Sequence, residues 1–239
     1  FDGKLLGRED FDRVRPPRRE FMGLGGMMVG RNELGALLSP FASLANLRST
    51  LGIVGGYVLD RVSYKRGTRL LMGNALVARL LYSLRKAKVP VLFESGVREL
   101  MIEDGRVVGA VLEGPTGTRR IRARKGVVLA TGGICWNRKI RERLFPAGTR
   151  DYALGPQTNT GDGADVAMAV GARFDDGGDS PALWMPCSSY TRPYGSLAVW
   201  PHIILDRAKP GLFAVDAKGK RFVNEANSYH DFAMGQIAT

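Results

Sequence analysis

Apolar residues at 76, 77, 80, 81 and 84 recur at the three- and four-residue spacing of one helical face, so Leu70–Lys88 reads as an amphipathic helix with Asn74 near its start. Val89 to Phe93 follows as a short strand. Three extended stretches come next, Val97–Glu103, Arg106–Leu112 and Thr118–Arg124, and the Asp104-Gly105 pair between the first two is a hairpin signal. This predicts a three-strand antiparallel meander. It feeds Val127-Val-Leu-Ala130, a run without polar positions, which predicts a short strand buried on both faces of a parallel sheet. Thr131-Gly132-Gly133 ends that run and lets the backbone approach a ligand beyond the strand's carboxyl end.

The pattern beyond this turn predicts a short basic helix over Arg138–Leu144 and a second helix over Ala164–Val170, stopped by Gly171. Thr160-Gly-Asp-Gly stands at the start of that second helix, where free N–H groups favour polar ligand groups. Asp162 there is either a cap or turn residue or a carboxylate accepting from a cofactor hydroxyl. From Arg173 onward the chain turns acidic, glycine-rich and aromatic, which marks a domain boundary. A strand at Gly211–Asp216, a turn, a return strand at Arg221–Asn224 and a helix entered through Glu225-Ala-Asn-Ser-Tyr-His-Asp complete the pattern. Residues 1–60 have no clear period. Gly23, Gly25 and Gly26 lack the preceding strand and later acidic residue of a dinucleotide fingerprint, so they read as a bend packing small residues.

Composition narrows the classes. With 239 residues and 44% apolar content the chain is globular, and no run of eighteen apolar residues suggests a spanning helix. The net charge of +12 is uneven: residues 1–150 hold 28 Lys and Arg against 13 Asp and Glu, the remainder 7 against 10. The bases are scattered, with no patch interleaved with aromatics, so nucleic acid is not expected as the partner and an anionic cofactor is compatible. Two cysteines, Cys135 and Cys187, form neither a disulfide framework nor a metal motif, and the default setting is reducing and cytoplasmic. The opening Phe-Asp-Gly-Lys has neither an initiating methionine nor a signal core, so a piece of a longer protein is expected.

Four segments in order carry a resemblance: Gly73-Asn-Ala-Leu-Val-Ala-Arg-Leu, Gly126-Val-Val-Leu-Ala-Thr-Gly-Gly, Thr160-Gly-Asp-Gly with Met168 and Gly171, and Gly219-Lys-Arg-Phe-Val-Asn-Glu. Together they resemble the flavoprotein family of fumarate reductases, succinate dehydrogenase flavoprotein subunits and 3-ketosteroid Δ1-dehydrogenases. The fold that this implies is α/β, α+β overall. An incomplete Rossmann-like FAD-binding domain with the meander occupies residues 1–175, and the start of a smaller substrate or capping domain occupies 176–239. By the same resemblance the Val97 backbone meets the adenine. Ala130, Thr131 and Gly132 lie along the adenosine and pyrophosphate, and Thr160, Gly161 and Asp162 lie nearer the ribityl chain and flavin. The family's GxGxxG unit would precede residue 1 and its closing glycine-rich segment would follow residue 239. The chain alone is therefore expected to hold FAD poorly.

The branch follows from what stands at two places. Trp184-Met-Pro-Cys-Ser replaces the His-Pro-Thr of the dicarboxylate branch, and no arginine follows Asn224-Glu225. Asn-Glu followed by Tyr229-His-Asp-Phe resembles instead the ketosteroid dehydrogenases, where the tyrosine takes a proton as hydride leaves the adjacent carbon. A tyrosine, with an ordinary pKa of about 10, needs help from its surroundings to act so, and His230, Arg207 or the flavin are candidates. The resemblance thus implies an FAD-dependent dehydrogenase or reductase acting on a carbon–carbon bond next to a carbonyl, with hydride passing to flavin N5 and Tyr229 as proton acceptor. It also implies a small-molecule and steroid-like substrate, no metal, and a reaction direction and electron acceptor that the residues do not name. A fumarate reductase-like protein and a truncated non-catalytic flavoprotein module are the alternatives. Other residues have plainer expectations: a structural His202, a buried Cys187, and Arg221 with Glu225 anchoring the turn into the last helix.

Overall fold

The computed structural model describes residues 1–18, 22–207 and 209–239. It divides into two compact units, Phe1–Leu92 and Phe93–Thr239.

The first unit is helical: α1 (Gly7–Arg13), α2 (Arg31–Leu38), α3 (Leu44–Ser63) and α4 (Met72–Lys86). The α4 span agrees with the amphipathic pattern, and its Ala78 is buried. Phe11 and Leu70 are fully buried, with Met28 and Ala78 beside them. Tyr64 meets Phe11 edge-on at 5.3 Å, and the Arg66 guanidinium covers the Phe11 ring at 4.3 Å while donating to the carbonyls of Phe11 and Val14. Gly23 and Met27 exchange backbone hydrogen bonds, and a Cβ at Gly26 would press on Arg66, so this segment is a tight bend packed on its neighbours. Phe21, at the head of that motif, lies outside the described residues. Nothing in the pattern foretold α3. Its 20 residues include Gly52, Gly55 and Gly56, which disfavour helix, and its apolar residues face every direction, with Leu44 86% and Val62 81% exposed.

Asp60 near the end of α3 ties this unit together. It accepts from the Thr68 N–H at 2.7 Å and hydroxyl at 2.8 Å, and pairs with Lys4 Nζ at 2.7 Å. Burial pushes its carboxyl up, but the Lys4 ammonium and the Thr68 donors outweigh this and hold it below the usual carboxylate range. Asp60→Asn keeps the shape and loses the charge, so it should lower stability by about 1.5–3 kcal/mol, read from the urea midpoint of the chain.

The second unit begins with the meander. Strands β1 (Gly96–Glu103), β2 (Arg106–Gly114) and β3 (Gly117–Arg122) form an antiparallel sheet in that order. Asp104 and Gly105 have φ of 49° and 72° between the paired Glu103 and Arg106, the left-handed pair of a type I′ hairpin. Helix α5 is Arg138–Leu144, as expected, started by Asn137, whose Oδ1 accepts from Ile140 N–H at 3.0 Å. Helix α6 is Asp162–Met168 and packs against β1. A second hairpin, β4 (Cys187–Thr191) with β5 (Leu197–Pro201), was not foreseen; α7 (Ile204–Arg207) and α8 (Tyr229–Ile237) follow.

Four expected strands differ. Val89–Phe93 is not a strand. Between Gly211 and Asn224 only a single Val215–Arg221 bridge forms, around the turn closed by Asp216 N–H to Lys220 O at 2.9 Å. Most consequential, 126–130 runs without regular pairing, and Val128 is 89% exposed instead of buried. A parallel strand needs a neighbour delivered by a crossover, and among the described residues both sheets are antiparallel with none beside this run. The observed class is mixed helix and antiparallel sheet, compatible with α/β.

Candidate functional site

The two glycine turns singled out in the sequence meet. Gly163, in the first turn of α6, lies so close to Thr131 that a Cβ there would overlap Thr131 Oγ1. A Cβ at Gly132 would fall 2.5 Å from Asn159 Oδ1, and one at Gly161 3.0 Å from Asn137 Nδ2. Gly132 and Gly161 have φ of 86° and 90°, which side chains adopt at a cost, so glycine is required for both conformation and contact. Segment 130–133 therefore lies alongside 159–163.

Side chains outside the expected set fasten this junction. Asn137 donates through Nδ2 to Thr160 O at 2.8 Å while its other side-chain atom starts α5. The Trp136 N–H donates to Asn159 O at 2.9 Å and its indole N–H to Gly155 O at 2.9 Å. Arg141, 3% exposed, donates to the carbonyls of Cys135, Thr149 and Tyr152, and burial pulls its pKa below the ordinary arginine value. Asn137 was legible as a residue before a helix. Arg141 was not, because a basic helix such as Arg-Lys-Ile-Arg-Glu-Arg-Leu looks like a solvated one.

The expected cofactor residues are placed as follows. Ala130, Thr131, Gly132, Thr160 and Asp162 are exposed and Gly161 is buried. Gly161, not Asp162, occupies the N-cap of α6; the Asp162 carboxylate instead accepts from the Thr160 hydroxyl at 2.7 Å and stays open to solvent. Asp162 is therefore not the cap, while its bond to Thr160 keeps the turn reading. Val97 is half-buried opposite Leu112, beside a bulge at the start of β1, the strand under α6. None of the backbone N–H groups of 130–133 or 160–163 donates to a described residue. Two facing turns with unused donors and a small-residue surface fit the phosphates and hydroxyls of an elongated anion such as FAD.

Tyr229 belongs to a second cluster. It is the first residue of α8, half-buried, with the Arg207 guanidinium 4.9 Å from its ring centre. Of the candidates for tuning it, Arg207 is the one against its ring; His230 instead accepts the Trp184 N–H at Nδ1, 3.2 Å away. Arg207 is 5% exposed and donates to the carbonyls of Glu225 and Asn227, fixing the segment that starts α8. Trp184 links the clusters, since its ring meets Phe145, just beyond α5, edge-on at 5.1 Å.

Glu225 anchors the turn as expected. It accepts from Arg221 Nη2 at 2.5 Å and Nε at 3.1 Å, and from the Ala214 N–H at 2.7 Å. The Arg221 guanidinium, helped by that N–H, pulls its carboxyl down to about 2. A depressed carboxylate stabilises the fold fully above the unfolded value of about 4.3, and that contribution is lost as pH falls toward about 2. Stability of the parent should therefore drop between these pH values, and Glu225→Gln should drop less over the same interval, measured by urea midpoints at its two ends.

Among the described residues no cluster could hold a metal ion, and no helix is long and apolar enough to cross a membrane. Cys135 and Cys187 are free thiols, the second with its pKa raised by burial.

Comparison with known proteins gives the following. Residues 13–238 match a family described as FAD binding domain. The chain is 39% identical over 184 residues to a 4-oxocyclohex-2-ene-1-carboxylate 5-dehydrogenase of Sinomonas cyclohexanicum, covering 75% of this chain and 30% of that protein. It is 38% identical over 164 residues to a 3-oxosteroid 1-dehydrogenase of Mycolicibacterium smegmatis, covering 66% and 27%. The crystal structure of 3-ketosteroid Δ1-dehydrogenase from Sterolibacterium denitrificans, in complex with 1,4-androstadiene-3,17-dione, superposes with a TM-score of 0.78 at 29% identity, covering all of this chain and 42% of that one. The chain thus spans less than half the length of these relatives.

Proposed function

The chain belongs to the FAD-binding domain family, and from that premise we propose that it is part of a flavin-dependent dehydrogenase that introduces a carbon–carbon double bond next to a ring ketone. The observation that supports this is the seating of Thr131 on Gly163, which brings together two turns whose N–H groups donate to no described residue. Under this reading residues 1–175 contribute to an FAD domain of incomplete Rossmann-like form, and 176–239 begin a substrate domain. Ala130, Thr131 and Gly132 bind the adenosine and pyrophosphate side, Thr160, Gly161 and Asp162 the ribityl side, and Val97 the adenine through its backbone.

The division of labour follows from the substrate's chemistry. A hydrogen α to a carbonyl is acidic enough for a base to remove, whereas the β-hydrogen must leave with its electron pair. FAD, when bound, supplies an acceptor for that pair at N5. Tyr229 takes the α-proton at its phenolic oxygen, and Arg207 over its ring holds the ring where α8 begins. The relatives act on steroid and oxocyclohexene rings, so the shared target is a cyclic ketone, steroid-like or smaller. The two free thiols favour a cytoplasmic setting.

Anaerobic addition of a 3-keto-steroid, and separately of 4-oxocyclohexanecarboxylate, to the flavin-loaded protein tests this. Loss of the flavin's yellow absorbance with either supports the assignment and ranks the two ring classes. A flavin that stays oxidised with both removes it in favour of a non-catalytic flavin module.

A further inference from the structure

The unforeseen hairpin carries a group of side chains that the dehydrogenase reading does not use. The ladder pairs Cys187 with Pro201 and Ser188 with Trp200, and the His202 N–H continues it by donating to Pro186 O at 2.9 Å. Side chains two apart on a strand share a face, which brings His202 diagonally across from Ser188. Ser188 Oγ lies 2.6 Å from His202 Nε2, and His202 Nδ1 lies 2.9 Å from Asp206 Oδ2, one turn on in α7. An ionised carboxylate only accepts, so the proton sits on Nδ1, Nε2 is the acceptor, and Ser188 donates to it. That is the order of contacts which activates a serine hydroxyl: nucleophile to base, base to orienting carboxylate.

All three residues line one open cavity of about 530 Å³, whose apolar wall includes Leu212, Val215, Phe222 and Phe232. Its size is that of a small-molecule site. Ser188 is exposed and His202 half-buried, so an incoming group can reach the hydroxyl. Arg207 lines the same cavity, is 5% exposed, and keeps its Nε–H without a partner among the described residues. A guanidinium in the cavity wall favours the negative charge that develops there.

We propose that Ser188, His202 and Asp206 form an acyl-transfer site that cleaves small carboxylic esters with an apolar alcohol part. Ser188 Oγ bonds to the ester carbonyl carbon as its proton passes to His202 Nε2. The carbon–oxygen bond to the alcohol then breaks, and the same proton leaves with the alkoxide as free alcohol. Water repeats the sequence on the acyl-serine, giving the carboxylic acid and restoring Ser188. No electrons change hands, so the reaction requires no flavin and stands or falls apart from the dehydrogenase assignment.

A tagged alkyl fluorophosphonate and p-nitrophenyl butyrate test the proposal on the whole protein. One label per chain is expected, mapped to Ser188 by peptide mass spectrometry and absent in Ser188→Ala. Labelling and ester turnover should fall about 10²-fold in His202→Gln and in Asp206→Asn. Ser189→Ala, on the opposite face of β4, should label normally. Circular dichroism confirms folding, and the two relay variants are independent, so one that folds suffices. No label on the parent protein, a label on another serine, or undiminished labelling in a folded His202 or Asp206 variant overturns the proposal.

Discussion

Tyr229→Phe in the flavin-loaded protein should lower dehydrogenation by about 10²- to 10⁴-fold while flavin content is unchanged. The substitution is narrow. It deletes one oxygen and leaves the ring under the Arg207 guanidinium, so the packing that starts α8 survives. Stopped-flow bleaching of the flavin by a cyclic ketone measures the step directly, and the retained flavin spectrum shows that the cofactor turns are intact. Unimpaired bleaching would take Tyr229 out of the mechanism and leave it as an aromatic packed at a helix start. A loss of both bleaching and flavin would assign it to architecture.

The second large effect concerns the junction of the turns. Gly163 lies inside helix α6, where alanine ordinarily stabilises by up to about 1 kcal/mol relative to glycine. Here the sign should reverse, because the new Cβ would occupy the position of Thr131 Oγ1 and force the two segments apart. Gly163→Ala should weaken FAD binding by tenfold or more, about 1.4 kcal/mol or above, in an equilibrium titration followed by flavin fluorescence. Gly133→Ala, where a Cβ meets open space, should bind as the parent does. Adding Thr131→Ala to Gly163→Ala removes the overlapping oxygen and should recover part of the loss. Parent-like affinity in Gly163→Ala would show that the turns do not need this contact.

What could be read from residues alone followed a physical rule: features decided by local interactions were legible and features decided by distant partners were not. The hairpin at Asp104-Gly105 depends on two residues that tolerate positive φ, and α5 depends on Asn137 and its own periodicity, so both stand where expected. That the two glycine turns serve one cofactor was expected only from the family resemblance, and the contact of Thr131 with Gly163 was not foreseen. By contrast α3 has no apolar face to detect. Arg141 and Arg207 are buried cations whose partners are backbone carbonyls outside their own helices, and no pattern of side chains announces a carbonyl. The β4–β5 hairpin was hidden by its content, since Ser188, Ser189, Tyr190 and Thr191 look like loop, and only cross-strand pairing with Leu197–Pro201 makes them a strand. The site divides the same way: its turns could be read, and the side chains that clamp them could not.

The run from Gly126 to Ala130 has a consequence for handling the chain. Its amides and carbonyls form no ladder and Val128 points into solvent, so it offers a template on both margins to any other extended peptide. At high protein concentration the nearest such peptide is the same run in another copy. These five residues, rather than the net charge of +12, are then where self-association of the chain should begin.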